Sequence, residues 1–155
     1  MTEAELIEET KTYMMLSFDD EVRPFAFADS PEGLLIIAMP DSDVPTQRML
    51  LRSKLPKEKA TLAVVCNEAW HTRCTTPEDA ELCERLHAAG KLFEAPAHLL
   101  GEEVQLWVEG LDRPITLLAA EITKVEGKRV LGEWKERQLN LPRPTFRRYF
   151  PEAGR

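Results

Sequence analysis

Four residues in the middle of the chain have the side-chain chemistry of a metal site: His71, Cys74, Cys83 and His87, in the spacing His-x2-Cys, eight residues, then Cys-x3-His. Zinc accepts imidazole nitrogens and thiolates in sets of four, and the four-residue step from Cys83 to His87 places both on one side of a helix. The pattern lacks the Cys-x2-Cys knuckle of structural zinc sites. Cys83 also falls on an apolar stripe, where a free cysteine acts as a small hydrophobe. Zinc is thus the one cofactor these residues suggest, set against a plain packing role. Glu68 lies close enough to His71 for a general acid/base pair, and Cys66 or Cys74 with His71 would make a thiolate and its base, the outline of a small hydrolase. The structural alternatives are Trp70 as a core anchor, Glu68 as a solvated or capping carboxylate and His71 as a loop residue. There is no Gly-x-Ser-x-Gly elbow, His-Glu-x2-His helix or Gly-rich phosphate loop, and seven glycines leave little for a nucleotide site built on close backbone approach.

A second group of residues suggests binding. The stretch Leu139 to Phe150 interleaves basic and aromatic side chains, with Arg143, Phe146, Arg147, Arg148, Tyr149 and Phe150 as the candidate partner-binding set. Residues 135–155 hold six basic and two acidic residues, a local +4 against −11 for the rest of the chain. Such a tail suits an acidic surface on a partner or a second copy, or stacking on single-stranded nucleic acid. It also suits the chain's own acidic body, with Phe146, Tyr149 and Phe150 at i, i+3 and i+4 on one face of a helical turn. The net charge of −7 opposes polyanion binding and so disfavours nucleic acid. The basic side of the second helix (Arg48, Arg52, Lys54, Lys57, Lys59) reads as a solvated face that needs no ligand.

The elements that must position these residues follow from capping signals and hydrophobic rhythm. Thr2 with Glu5 makes a capping box and opens an amphipathic helix over 3–16. Val22 to Ala28 and Leu34 to Met39 read as a hairpin around an acidic turn, with Pro24 forcing the first strand to an edge or delaying its pairing until after the proline. Asp43 caps a second helix over 44–55, with Pro45 in its first turn and Pro56 as its stop. Thr61 to Val65 is a central strand covered on both sides, leading into Cys66–His71. Thr76, Pro77 and Asp79 start a third helix that ends at Gly90. Residues 91–101 form a connection with at most one helical turn. From Glu103 the period is two: Val104, Leu106 and Val108 alternate with Gln105 and Trp107, and turns near 110 and 127 give a three-strand meander ending at Trp134.

The run Leu62 to Trp70, ending in Glu68-Ala69-Trp70, together with a strand-rich second half closing on Leu131-Gly132-Glu133-Trp134, resembles a scattered group of small bacterial and phage-type proteins in which a β-strand runs into a Glu-Ala-Trp segment. The resemblance implies a prokaryotic source and carries no activity, cofactor or catalytic residue.

The 155 residues suit one domain with one shared apolar interior. No apolar run approaches the ~20 residues of a bilayer span, the N-terminus is acidic, and three cysteines are an odd number, so a cytoplasmic chain with free thiols and no membrane contact is expected. The reading is an α+β fold, order αββαβαβββ, with a mainly antiparallel sheet of about six strands and three helices over 1–134, and a basic, aromatic tail over 135–155 packed on the body or on a partner. Its expected role is a non-enzymatic protein-interaction or self-associating module. The rivals are a small zinc-binding protein or hydrolase at His71, Cys74, Cys83 and His87, and a single-stranded nucleic-acid binder.

Overall fold

A computed structural model describes residues 1–39, 42–143 and 145–152. Pro144, counted above with the tail, lies outside the described residues. The elements are α1 (Glu3–Met15), β1 (Phe25–Ser30), β2 (Gly33–Ala38), α2 (Val44–Lys57), β3 (Leu62–Thr72), α3 (Pro77–Ala88), β4 (Leu100–Gly110), β5 (Arg113–Val125), β6 (Lys128–Leu131) and β7 (Lys135–Arg137). Two short 3-10 turns, Leu92–Glu94 and Ala97–Leu99, lie between α3 and β4. The strands form an antiparallel sheet in the order β2-β1-β3-β4-β5-β6, with β7 also paired to β5. The α+β class and the element order are those expected from the sequence, with β7 added.

The caps form as the sequence dictates. Thr2 accepts from the Glu5 N–H while Glu5 reaches back to the Thr2 N–H, Asp43 accepts from the Thr46 N–H and Thr76 from the Asp79 N–H. Pro56 does not stop α2. The helix runs on to Lys57 and closes when Lys59 takes a left-handed φ of 57°, its N–H donating to the Pro56 carbonyl and the Ala60 N–H to that of Leu55. Buried Leu55 and Ala60 share one apolar cluster, and this contact outweighs the poor fit of a proline in the last turn. Pro24 delays pairing: β1 starts one residue later and runs between β2 and β3.

β3 is longer than its sequence suggests. Leu62 to Thr72 pairs residue for residue with Gly110 to Leu100, so Cys66 to His71 are strand and not the segment that follows one. Cross-strand pairing along the whole length overrides the weak strand preference of Asn67 and Glu68.

The interior also departs from the single core expected. One apolar cluster lies between the sheet and α1, where Leu6, Met14, Phe25, Phe27, Val64, Leu106 and Val108 are buried. A second lies on the other face under α2, with Ile37, Leu51, Leu55, Ala63, Val65, Tyr149 and Phe150. The even-numbered side chains of β4 (Val104, Leu106, Val108) enter the first cluster. Its odd-numbered ones, Glu103, Gln105, Trp107 and Glu109, would face water in a two-layer fold. Here Glu103 and Glu109 are fully buried. What covers them decides both the C-terminal packing and the candidate site.

Over Glu109 lies the C-terminal segment. The Glu109 carboxylate accepts the backbone N–H groups of Arg148 (3.1 Å), Tyr149 (2.8 Å) and Phe150 (3.0 Å). On the other side of the segment, Arg48 donates to the Arg148 carbonyl and Arg52 to that of Arg147. The Arg148 guanidinium stacks 4.0 Å from the centre of the Trp107 ring. Arg48 and Arg52 of the basic side of α2 therefore dock the chain's own C-terminal segment, which corrects their reading as part of a solvated face, while Lys57 and Lys59 are exposed. Tyr149 and Phe150 are both buried, and residues 148–150 are bends after two residues without regular structure, so the expected helical turn does not form.

Candidate functional site

Beyond the point where the C-terminal segment stops, Glu103 and Gln105 of the odd-numbered face of β4 form the floor of a groove. A cavity of about 460 Å³ is bounded by Glu103, Gln105, His71, Cys74 and Arg137, with Cys83, Glu84 and His87 of α3 as its wall. The register builds the floor: Asn67 faces Gln105 and Ala69 faces Glu103 across β3–β4, and Glu103 faces Glu121 across β4–β5.

Two glutamates directly opposite one another on a sheet repel. Each has its own cation. Arg73 pairs with Glu121, and Arg137 Nη2 lies 2.8 Å from Glu103 Oε2. The second pairing is incomplete as a hydrogen bond: Glu103 is fully buried, yet among the described residues no donor is aligned on either of its carboxylate oxygens. His71 Nε2, 3.8 Å from Glu121 Oε1, also has no hydrogen-bond partner. Buried polar groups left without partners are costly, and here they converge on one cavity. Gly101 makes room for this arrangement, since a Cβ there would lie 2.5 Å from His71 Nε2 and 2.7 Å from Arg73 Nε.

The thiols meet. Cys74 Sγ and Cys83 Sγ are 3.4 Å apart. Burial first, and then the hydrogen bond from Cys74, push the Cys83 thiol above its ordinary range, so at neutral pH Cys83 holds its proton. A thiolate nucleophile needs the opposite shift. Cys66, sealed in the interior, is pushed up much further by burial. The contact between the two sulfurs places them for oxidation: two thiols and oxidised glutathione give one intramolecular disulfide and two reduced glutathiones. Treatment with oxidised glutathione should remove two titratable thiols per chain and raise stability by about 2–3 kcal/mol for so short a loop. Cys74→Ser should abolish both changes, as seen by thiol titration and urea unfolding.

The four residues singled out from spacing thus line one cavity, Cys74 and Cys83 in contact and His71 and His87 on its border. Among the described residues, no three His, Cys, Asp or Glu side chains form a group able to hold a metal ion. Glu68 and His71 are not paired with each other. Glu68 accepts from the Val22 N–H at 2.9 Å and pairs with Arg129, tying the chain before β1 to β3 and β6, while His71 faces Glu121. Of the tail residues, Tyr149 and Phe150 lie in the chain's own core. Arg147 and Arg148 bond to the body, and Arg143 and Phe146 lie beside Arg48 at the rim.

Sequence reading missed Glu103, Arg137 and the exposure of Trp70. Trp70, for which a core anchor was the structural alternative, is 63% exposed and borders three adjacent cavities: the groove, an apolar one with Leu92, Phe93 and Leu100, and a third with Arg73 and Glu102. Phe93 is exposed beside it. The available signal was a tryptophan at the end of a strand, next to a histidine and ahead of a Pro-containing connection.

Among the described residues no helix is long and apolar enough to cross a membrane. Comparison with protein-family models, with curated proteins and with solved structures returns no significant match to the chain.

Proposed function

We propose that this chain is a non-enzymatic protein-binding module, and that the groove between α3 and the Glu103–Gln105 floor receives an extended segment of a basic partner. The observation that carries the reading is the fully buried Glu103, with no donor aligned on its carboxylate oxygens, at the floor of a cavity whose rim is the exposed Trp70. A partner guanidinium or ammonium would supply the missing donors, and apolar partner side chains would cover Trp70 and Phe93. Charge favours such a partner, since Glu84 and Glu103 line the groove against Arg137 alone and the chain as a whole carries −7. Three cavities side by side along Trp70 suit a peptide better than one compact small molecule.

The test uses a labelled peptide of alternating arginine and leucine, with its glutamate and leucine counterpart as control. The basic peptide should bind and the acidic one should not. Trp70→Ala and Glu103→Gln should each weaken binding by about tenfold or more, the loss expected of an anchor residue. Equal binding by wild type and both variants would mean that the peptide is held by net charge elsewhere, and the groove reading would be wrong.

The contact of Cys74 with Cys83 favours a second reading, a soft-metal or zinc-dependent role that would need His71 and His87 to close on the two sulfurs. Stoichiometric zinc in protein purified without a histidine tag, with melting lowered by chelator, would support it.

A further inference from the structure

The two edges of the sheet differ in how they are protected. At one edge β6 is only four residues long and carries Lys128 and Arg129, and β7 beside it is Lys-Glu-Arg. Short strands and charge are what keep an edge from pairing with another chain. At the other edge β2 reads Gly-Leu-Leu-Ile-Ile-Ala: six residues with no charge and no proline, in unbroken register with β1. Among the described residues, β2 ends the strand order and has β1 as its one hydrogen-bonded neighbour in the sheet. Its side chains lie on two faces. Leu35 and Ile37 pack toward the cluster under α2, whereas Leu34 and Ile36 are exposed, 38% and 53%, on the α1 side. There Ile36 sits across from Phe27, on which the part-exposed ring of Tyr13 stacks at 5.2 Å.

We propose that β2 pairs with β2 of a second copy of this chain, joining two sheets into one. A strand edge needs a strand, and this edge complements itself: an antiparallel pair about a two-fold axis at Leu35 keeps each face on its own side and sets Leu34 of each copy beside Ile36 of the other. No charge opposes a like charge, because the six residues carry none. Cross-strand pairs of aliphatic side chains then cover the surface now exposed, and the unused backbone groups of β2 gain partners.

Sedimentation equilibrium of the full chain over a range of concentrations tests this. The mass should rise to twice 17.7 kDa. Ile36→Lys, which places two cations at the joined edge, should weaken dimerisation by about tenfold or more. Val130→Lys on β6 should leave it unchanged. Hydrogen exchange of wild type needs no variant, and amides within 33–38 should gain protection at the concentration where the mass doubles. A wild-type chain that stays monomeric, an Ile36→Lys chain that dimerises as wild type does, or exchange within 33–38 that ignores concentration would each overturn the proposal.

Discussion

A chain ending at residue 138 should fail to melt cooperatively anywhere near the temperature of the full protein. The removed segment carries Tyr149 and Phe150, both fully or almost fully buried against Leu51, Leu55 and Val65. Each aromatic ring buries roughly 150–250 Å², which at about 25 cal/mol/Å² gives roughly 4–6 kcal/mol apiece as an upper bound. Ordering the segment costs part of this. The truncated chain also loses the three N–H donors to Glu109, whose carboxylate turns to water once its cover is gone, so the buried rings dominate the loss. The net loss is comparable to the whole stability of an ordinary domain, about 5–15 kcal/mol. Thermal unfolding followed by circular dichroism decides it: a cooperative transition within a few degrees of the full chain would show that the segment is an accessory.

Glu109→Ala should have the second largest effect, a loss of about 3–5 kcal/mol in urea unfolding at neutral pH. It leaves the N–H groups of residues 148, 149 and 150 without their acceptor in a buried place, at about 1–3 kcal/mol each before relaxation. The pH dependence has a definite sign. Burial pushes the Glu109 carboxyl above the ordinary glutamate range, even though three N–H groups pull it down. An acid raised in the fold holds its proton longer there than in the unfolded chain. Its contribution to stability is therefore fullest in acid and falls as pH rises from the ordinary range through the raised value. The stability advantage of wild type over Glu109→Gln should shrink across that window. A gap that widens with rising pH would contradict the assignment.

The legible parts of the fold are those written locally. Thr2 with Glu5, Asp43, and Thr76 ahead of Pro77 announced their helices because a cap is made within four residues. Likewise, the alternation of Val104, Leu106 and Val108 announced β4. The other face of the same strand was illegible. Nothing local marked Glu103 and Glu109 as buried, because a period of two separates faces without saying which is covered, and the cover over Glu109 comes from residues about forty positions later. Trp107, a large aromatic of the same parity, was the available hint. The tail stayed open between two readings for a related reason: a basic, aromatic segment beside an acidic body has the same composition whether it docks on that body or on a partner. At the site, spacing brought His71, Cys74, Cys83 and His87 to one cavity but could not tell a shared lining from shared coordination, which depends on the course of the chain between Thr72 and α3. The strand from Cys66 to His71 was missed because partner pairing, not intrinsic preference, makes it a strand.

The most direct test of the groove as a binding surface is a backbone amide map of the full chain titrated with the arginine–leucine peptide. Shifts should concentrate at Trp70–Cys74, along α3 and at Glu103–Gln105. Shifts confined to the C-terminal segment and α2, or spread evenly over the acidic surface, would contradict it.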